Sequence, residues 1–253
     1  MKIGICTSLD NIAKVRDMGF DYIEGNSSVL AGMTTEQFSE IQKKAADAGL
    51  PVYSFACLFP WSYKFFSTEI TNQTLADHLK TVFEREAALG GRVSVFGSGG
   101  ARKFPEGVSY PDACKRVVEV LRLAGDLAAP HGISIVFEPL CRAETNIGNS
   151  VCEGSLLVQM ANHPNVGLLA DYYHMATVGE PVSEIARIGG IRHAHIATRD
   201  GRHAPLLAGS DDFAGFLREL KTLGTCEGVS IESGWTDFDR DAPRALALLR
   251  SLA

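Results

Sequence analysis

The chain is poor in the features that mark several common protein classes. Its six cysteines (Cys6, Cys57, Cys114, Cys141, Cys152 and Cys226) form no CxxC pair, so neither a zinc ribbon nor a redox dithiol is indicated. They read as free thiols of a cytoplasmic protein. No stretch approaches the roughly 18 uninterrupted apolar residues of a membrane span, and the few apolar residues before Asp10 are too short for a signal peptide. Positive charge is in deficit, 24 Lys+Arg against 30 Asp+Glu, which argues against nucleic acid as the main partner. No low-complexity tract, polar linker or shift of composition divides the chain. GxSxG, HExxH and Walker GK[ST] motifs are missing, and Gly97-Ser98-Gly99-Gly100-Ala101-Arg102 fails GxGxxG because Arg102 stands where the third glycine belongs.

What is present is core-forming material. Of 253 residues, 45% are hydrophobic and 21% charged, enough for a real core and against wholesale disorder. Short runs rich in Val, Ile and Phe recur along the whole length: Lys2 to Cys6, Asp21 to Glu24, Val52 to Cys57, Arg92 to Phe96, Ile133 to Glu138, Val166 to Asp171, Ile191 to Ala197 and Gly228 to Glu232. Segments of helical period separate them. After Thr34, which with Gln37 makes a capping box, Phe38, Ile41, Ala45 and Ala48 share a face that Gly49 ends. Leu75, Leu79, Val82, Phe83 and Ala87 form a second stripe. Pro111 opens a third helix with Cys114, Val117, Val118, Leu121 and Ala124 inward. Asp211 or Asp212 caps a helix carrying Phe213, Phe216, Leu217 and Leu220, and the last helix is expected to begin around Asp241-Ala242-Pro243. Two more helical segments, near Cys152 to Asn162 and Val182 to Ile188, are less sharply defined. Eight βα units of about 32 residues use nearly all of residues 1–253. The expected architecture is therefore α/β, a single (β/α)₈ TIM barrel in one domain, with an open doubly wound sheet as runner-up.

Parallel βα folds present ligands at the C-terminal ends of their strands. In the second half of the chain those ends are polar: Glu138 closes strand five, Asp171 strand six and Glu232 strand eight, while His193 and His195 share one face of strand seven. Three carboxylates converging on one point repel one another and call for a cation between them. A single Asp or Glu at a strand end is usually a cap or a surface charge; one polar residue on each of four successive strands is not so easily dismissed. Oxygen-rich ligation with one imidazole suits Mn²⁺, Mg²⁺ or Co²⁺, with Zn²⁺ an open alternative. His193, one layer below His195, reads as a hydrogen-bond partner of a ligand.

With these residues in place, the chain resembles the xylose-isomerase-like barrels of sugar isomerases and epimerases. The resemblance is carried by Phe137-Glu138-Pro139 with Arg142, Glu144 and Asn146, by Leu169 to Met175, by His193 to Ala197 with Arg202, and by Ile231-Glu232. It is similar in particular to ketose 3-epimerases and hydroxypyruvate isomerases. The resemblance implies that Glu138, Asp171, His195 and Glu232 hold one divalent metal ion, that Glu138 and Glu232 also pass the proton, and that Glu144, His174 and Arg202 hold substrate oxygens. Arg199 competes with Arg202 for that last role. The implied reaction is isomerisation or epimerisation of a small ketose or keto-sugar through an enediolate, which a Lewis acid stabilises while one glutamate takes a proton and another returns it. The same residues suit a keto-inositol-type dehydratase or a non-catalytic sugar-binding subunit. An endonuclease-like hydrolase on this scaffold gathers more histidines, and this chain has 7.

Two further segments carry expectations. Leu58 to Phe66 packs five aromatics into nine residues and reads as a lid over the sugar or as a subunit contact within a dimer or tetramer. Gly97 to Arg102 reads as a turn, or as a cradle for a substrate phosphate or carboxylate.

Overall fold

The computed structural model describes residues 1–207, 209 and 211–253. Eight parallel strands close into a barrel in chain order, β1 (Lys2–Cys6), β2 (Tyr22–Asn26), β3 (Val52–Ala56), β4 (Val93–Phe96), β5 (Ser134–Phe137), β6 (Val166–Asp171), β7 (Ile191–Ile196) and β8 (Gly228–Ile231), with β8 pairing back onto β1. Each lies within two residues of its expected position.

The surrounding helices are α1 (Ile12–Asp17), α2 (Ser27–Gly32), α3 (Thr35–Ala48), α4 (Asn72–Ala88), α5 (Gly99–Arg102), α6 (Tyr110–Ala128), α7 (Val151–Ala161), α8 (Tyr172–Val178), α9 (Glu184–Ile188), α10 (Phe213–Leu223) and α11 (Phe238–Leu252). Their ends obey local chemistry. The capping box forms in both directions, with the Gln37 N–H donating to Thr34 Oγ1 at 3.2 Å and the Thr34 N–H to Gln37 Oε1 at 2.9 Å. Gly49 ends α3 in the left-handed region at φ 67°, where a side chain would be strained. Asp212, not Asp211, caps α10.

Two expectations are corrected. The last helix starts at Phe238, capped by Asp237, so that Pro243 lies inside it; because proline breaks one helical bond, its position suggested a start that the stronger Asp237 cap overrides. Gly97 to Arg102 is not a turn but leads into the single helical turn α5.

The barrel interior divides chemically. Val93, Val95, Val136 and Leu169 fill one part with apolar side chains, while Tyr22, Glu24, Ser54, His193 and Ser230, all buried, fill the other. The Tyr22 ring crosses the interior so closely that a Cβ on Gly4 would lie 2.1 Å from it. Between strands and helices, Phe96 meets Phe59, Phe65 and Phe137 edge-on at 5.2, 5.8 and 5.6 Å. Each buried phenylalanine contributes about 1.5–3 kcal/mol by leaving water.

Candidate active site at the C-terminal ends of the strands

Glu138 and Glu232 stand one residue beyond β5 and β8, and their backbone N–H groups still bond to the neighbouring strands, at Phe96 O (3.2 Å) and Ile196 O (3.3 Å). Asp171 ends β6 directly opposite His195 of β7 in the ladder. The four side chains each offer a donor atom, and these atoms all lie within 4.8 Å of one another. Asp171 is a cap as well: its Oδ1 accepts the Tyr173 N–H at 2.8 Å, opening α8, while Oδ2 faces the site. Gly97 makes room for the cluster, since a Cβ there would lie 2.2 Å from Glu138 Oε2.

One functional residue escaped the sequence reading. Glu24, fully buried on β2, accepts His195 Nε2–H at 2.8 Å on Oε1, and His193 Nε2–H at 2.8 Å with the Ser54 and Ser230 hydroxyls at 2.6 and 2.5 Å on Oε2. Tyr22 in turn donates to Ser230 Oγ at 2.8 Å. Contrary to expectation, His193 thus does not bond to His195 but shares the Glu24 carboxylate with it. The overlooked signal was the acidic residue that closes the expected strand Asp21 to Glu24, which in the structure lies two positions short of the end of β2 at Asn26.

Glu24 determines which imidazole nitrogen faces the site. With Nε2–H committed to Glu24, His195 turns Nδ1 toward Glu138 Oε1 (3.2 Å) and Glu232 Oε2 (3.0 Å). Burial opposes charge on this ring, yet Glu24 and Glu232 push its pKa well above the ordinary value. Burial, then the Glu138 and Glu232 charges, push the Asp171 carboxyl up to about 7 against the pull of Arg202 and His195. Glu232, despite burial, is held at about 2 by His195 and Arg202. The cluster therefore holds more carboxylate than its own cations neutralise, and a divalent ion fits that donor set.

Two other groupings of donor atoms suit a metal less well. In Cys6, Glu24 and His195, the glutamate oxygens are occupied by four hydrogen bonds. In Cys141, Glu144 and His174, the Cys141 N–H donates to His174 Nδ1 at 3.0 Å. Nε2 therefore carries the proton and has no lone pair to give.

Among the described residues that Nε2–H is buried without a partner, 3.6 Å from Asp171 Oδ2 and 4.0 Å from Glu144 Oε1. Burial, with Arg202 nearby, holds the ring neutral at a pKa of about 3. Arg202 reaches Glu232 at 2.5 Å, Glu144 at 3.3 Å and Asp171 at 3.5 Å, and lies over the Tyr173 ring at 4.9 Å. Its backbone is in the left-handed region, φ 51°. Arg199 points elsewhere, toward Asp200 at 3.9 Å with its side chain 63% exposed, so the two arginines are separated by position.

Glu138, Glu144, Arg202 and Glu232 line a cavity of ≈470 Å³. A second recess of ≈390 Å³, lined mostly by residues of the first three βα units, shares Asn26, Val29, Cys57 and Glu232 with it. Arg102 does not reach the cavity as an anion cradle. It is fully buried and donates to the carbonyls of Phe96 (3.2 Å), Gly97 (2.6 Å) and Glu138 (2.8 Å), tying the ends of β4 and β5 together. The aromatic loop divides as well: Phe59 and Phe65 belong to the core, and Trp61 borders the cavity.

The xylose isomerase-like TIM barrel profile matches residues 12–252. The chain belongs to that family. Its relatives include a ketose 3-epimerase from Arthrobacter globiformis, 26% identical, the alignment covering 83% of this chain and 82% of the relative. An L-ribulose 3-epimerase from Methylomonas sp. (strain DH-1) is 32% identical over 131 residues, 52% of this chain but 46% of that protein. A solved structure of D-psicose 3-epimerase in the presence of D-fructose shares the fold over 100% of this chain and 99% of its own, with a TM-score of 0.86 at 21% identity. No helix among the described residues is long and apolar enough to cross a membrane.

Proposed function

We propose that this xylose isomerase-like barrel is a divalent-metal-dependent epimerase or isomerase of a small ketose or keto-sugar. The observation that carries the reading is the pairing of Glu138 and Glu232, on strands three apart around the barrel wall, across His195 Nδ1 in one cavity. The names of the relatives support the same class of reaction.

In this reading Glu138, Asp171, His195 and Glu232 hold the ion, Mn²⁺, Mg²⁺ or Co²⁺ by preference. When bound, it supplies Lewis-acid stabilisation of negative charge on the substrate oxygens. The remaining work falls to the side chains. His174 Nε2–H, lacking any partner, donates to a substrate oxygen, and Arg202 holds a second while keeping Glu232 ionised. One of Glu138 and Glu232 takes the proton from the carbon beside the carbonyl, and the other returns one. Return to the opposite face of that carbon epimerises; return to the adjacent carbon isomerises.

The test is solvent-deuterium incorporation by the metal-loaded protein across a panel of ketoses. Label entering a carbon next to the carbonyl is expected. Loss of water instead assigns a dehydratase, and binding with no exchange in any compound removes the catalytic reading.

A further inference from the structure

We propose that the substrate carries an uncharged ring, such as a glycosidically linked sugar, that stacks on Trp61 outside the metal site; this rests on the keto-sugar reading above. Trp61 is 71% exposed, which is unusual for so large an apolar side chain. It is nevertheless held. A Cβ on Gly100 would lie 2.4, 2.5 and 2.6 Å from three indole atoms, so that part of the ring's face rests directly on that glycine. The Lys64 ammonium lies 4.7 Å from the ring centroid and donates to Gly100 O at 2.9 Å, linking ring, cation and backbone.

The indole is also a shared wall. It borders the cavity that contains Glu138 and Glu232, and it borders a neighbouring cavity of ≈440 Å³ that continues over Phe66, Phe104 and Pro105. The far wall is fixed in place, because the Asn146 side chain donates to Phe104 O at 2.9 Å and accepts the Phe104 N–H at 3.0 Å. A substrate bound at the carboxylates therefore has Trp61 within its own cavity, with the Phe66 and Phe104 surface on the indole's other side. That lining favours a neutral ring over a phosphate. Its cations among the described residues are Lys64, which spends one of its three N–H groups on Gly100 O, and Lys103, where phosphate recognition gathers more donors.

The experiment compares D-fructose with its 4-O-glucosyl derivative maltulose, and 3-ketoglucose with its phenyl glycoside, in the metal-loaded protein. The ring-bearing member of at least one pair is expected to have a kcat/KM for deuterium exchange about tenfold higher, a preference lost in Trp61→Ala and kept in Trp61→Phe. Since the chain has two tryptophans, a Trp235→Phe background isolates the Trp61 emission, which the same compound is expected to quench on titration. Equal exchange within both pairs with unchanged Trp61 emission overturns the proposal and leaves the proton-transfer reading standing. D-Fructose 6-phosphate, run beside D-fructose, is expected to exchange no faster, and a preference for it overturns the proposal too. If no compound exchanges, the proton-transfer reading falls, and the fluorescence titration alone decides the stacking surface.

Discussion

His195 donates Nε2–H to Glu24 at 2.8 Å, and this one bond leaves Nδ1 as the atom that faces Glu138 and Glu232. A carboxylate inside the barrel thereby sets which ring nitrogen of a side chain at its mouth faces the site. Because Glu24 also accepts from His193, Ser54 and Ser230, its orientation is over-determined.

Glu24→Gln places an amide NH₂ where one carboxylate oxygen accepts, so at least one of those donors meets a donor. The expected result is a loss of divalent-metal affinity of about 10- to 100-fold, the usual effect of removing such a support. Competition with a chelating dye measures it. A variant that melts earlier but binds metal as tightly as the parent assigns Glu24 a purely structural role.

Gly97→Ala tests how tightly Glu138 is confined. The added methyl meets only the tip of the Glu138 carboxylate, at 2.2 Å. Thermal stability is expected to change little, whereas displacement of the carboxylate by about 1 Å costs on the order of 100-fold in turnover. Full activity in the variant means that Glu138 has slack the structure does not show.

Arg202 shares Asp171 and Glu232 with the proposed ion. Arg202→Ala is expected to lower kcat/KM on the ketose that exchanges by about 100-fold or more, as a partly buried substrate-orienting charge is lost, while metal affinity holds or rises because a competing cation is gone. Weaker metal binding in this variant contradicts the assigned role.

The eight strands were legible because their apolar runs are short, rich in β-branched residues and separated by capped helices. The four strand-end residues were legible because charge at the end of a buried strand is costly without a partner. Glu24 was not, since its partners come from β3, β7 and β8 and only barrel closure brings them together. Arg102 misled for a related reason: a glycine-rich run ending in arginine looks like an anion cradle until the carbonyls of Phe96, Gly97 and Glu138 are seen to occupy it. In the aromatic loop, composition could not separate the core side chains Phe59 and Phe65 from the exposed Trp61.

Outside the site, Glu86 is buried on α4 with the Ser27 and Ser94 hydroxyls donating to its Oε1 at 2.6 and 3.1 Å. Burial nonetheless pushes its pKa from 4.5 up to about 8. The folded protein thus favours the protonated acid, so this group's contribution to stability is complete below pH 4.5 and is lost as pH rises through 8. The upper bound on that loss is about 5 kcal/mol. Denaturant unfolding of wild type and Glu86→Gln from pH 5 to 9 is expected to show the variant gaining relative stability as pH rises; parallel curves contradict the assignment.

The most direct test of the account is equilibrium Mn²⁺ binding to the metal-stripped protein, followed by dialysis and by the spin signal of the free ion. One ion per chain is predicted, with affinity falling by about 100-fold or more in Glu138→Gln and in Asp171→Asn. Absence of binding in the wild type, or affinity unchanged in both variants, contradicts the site.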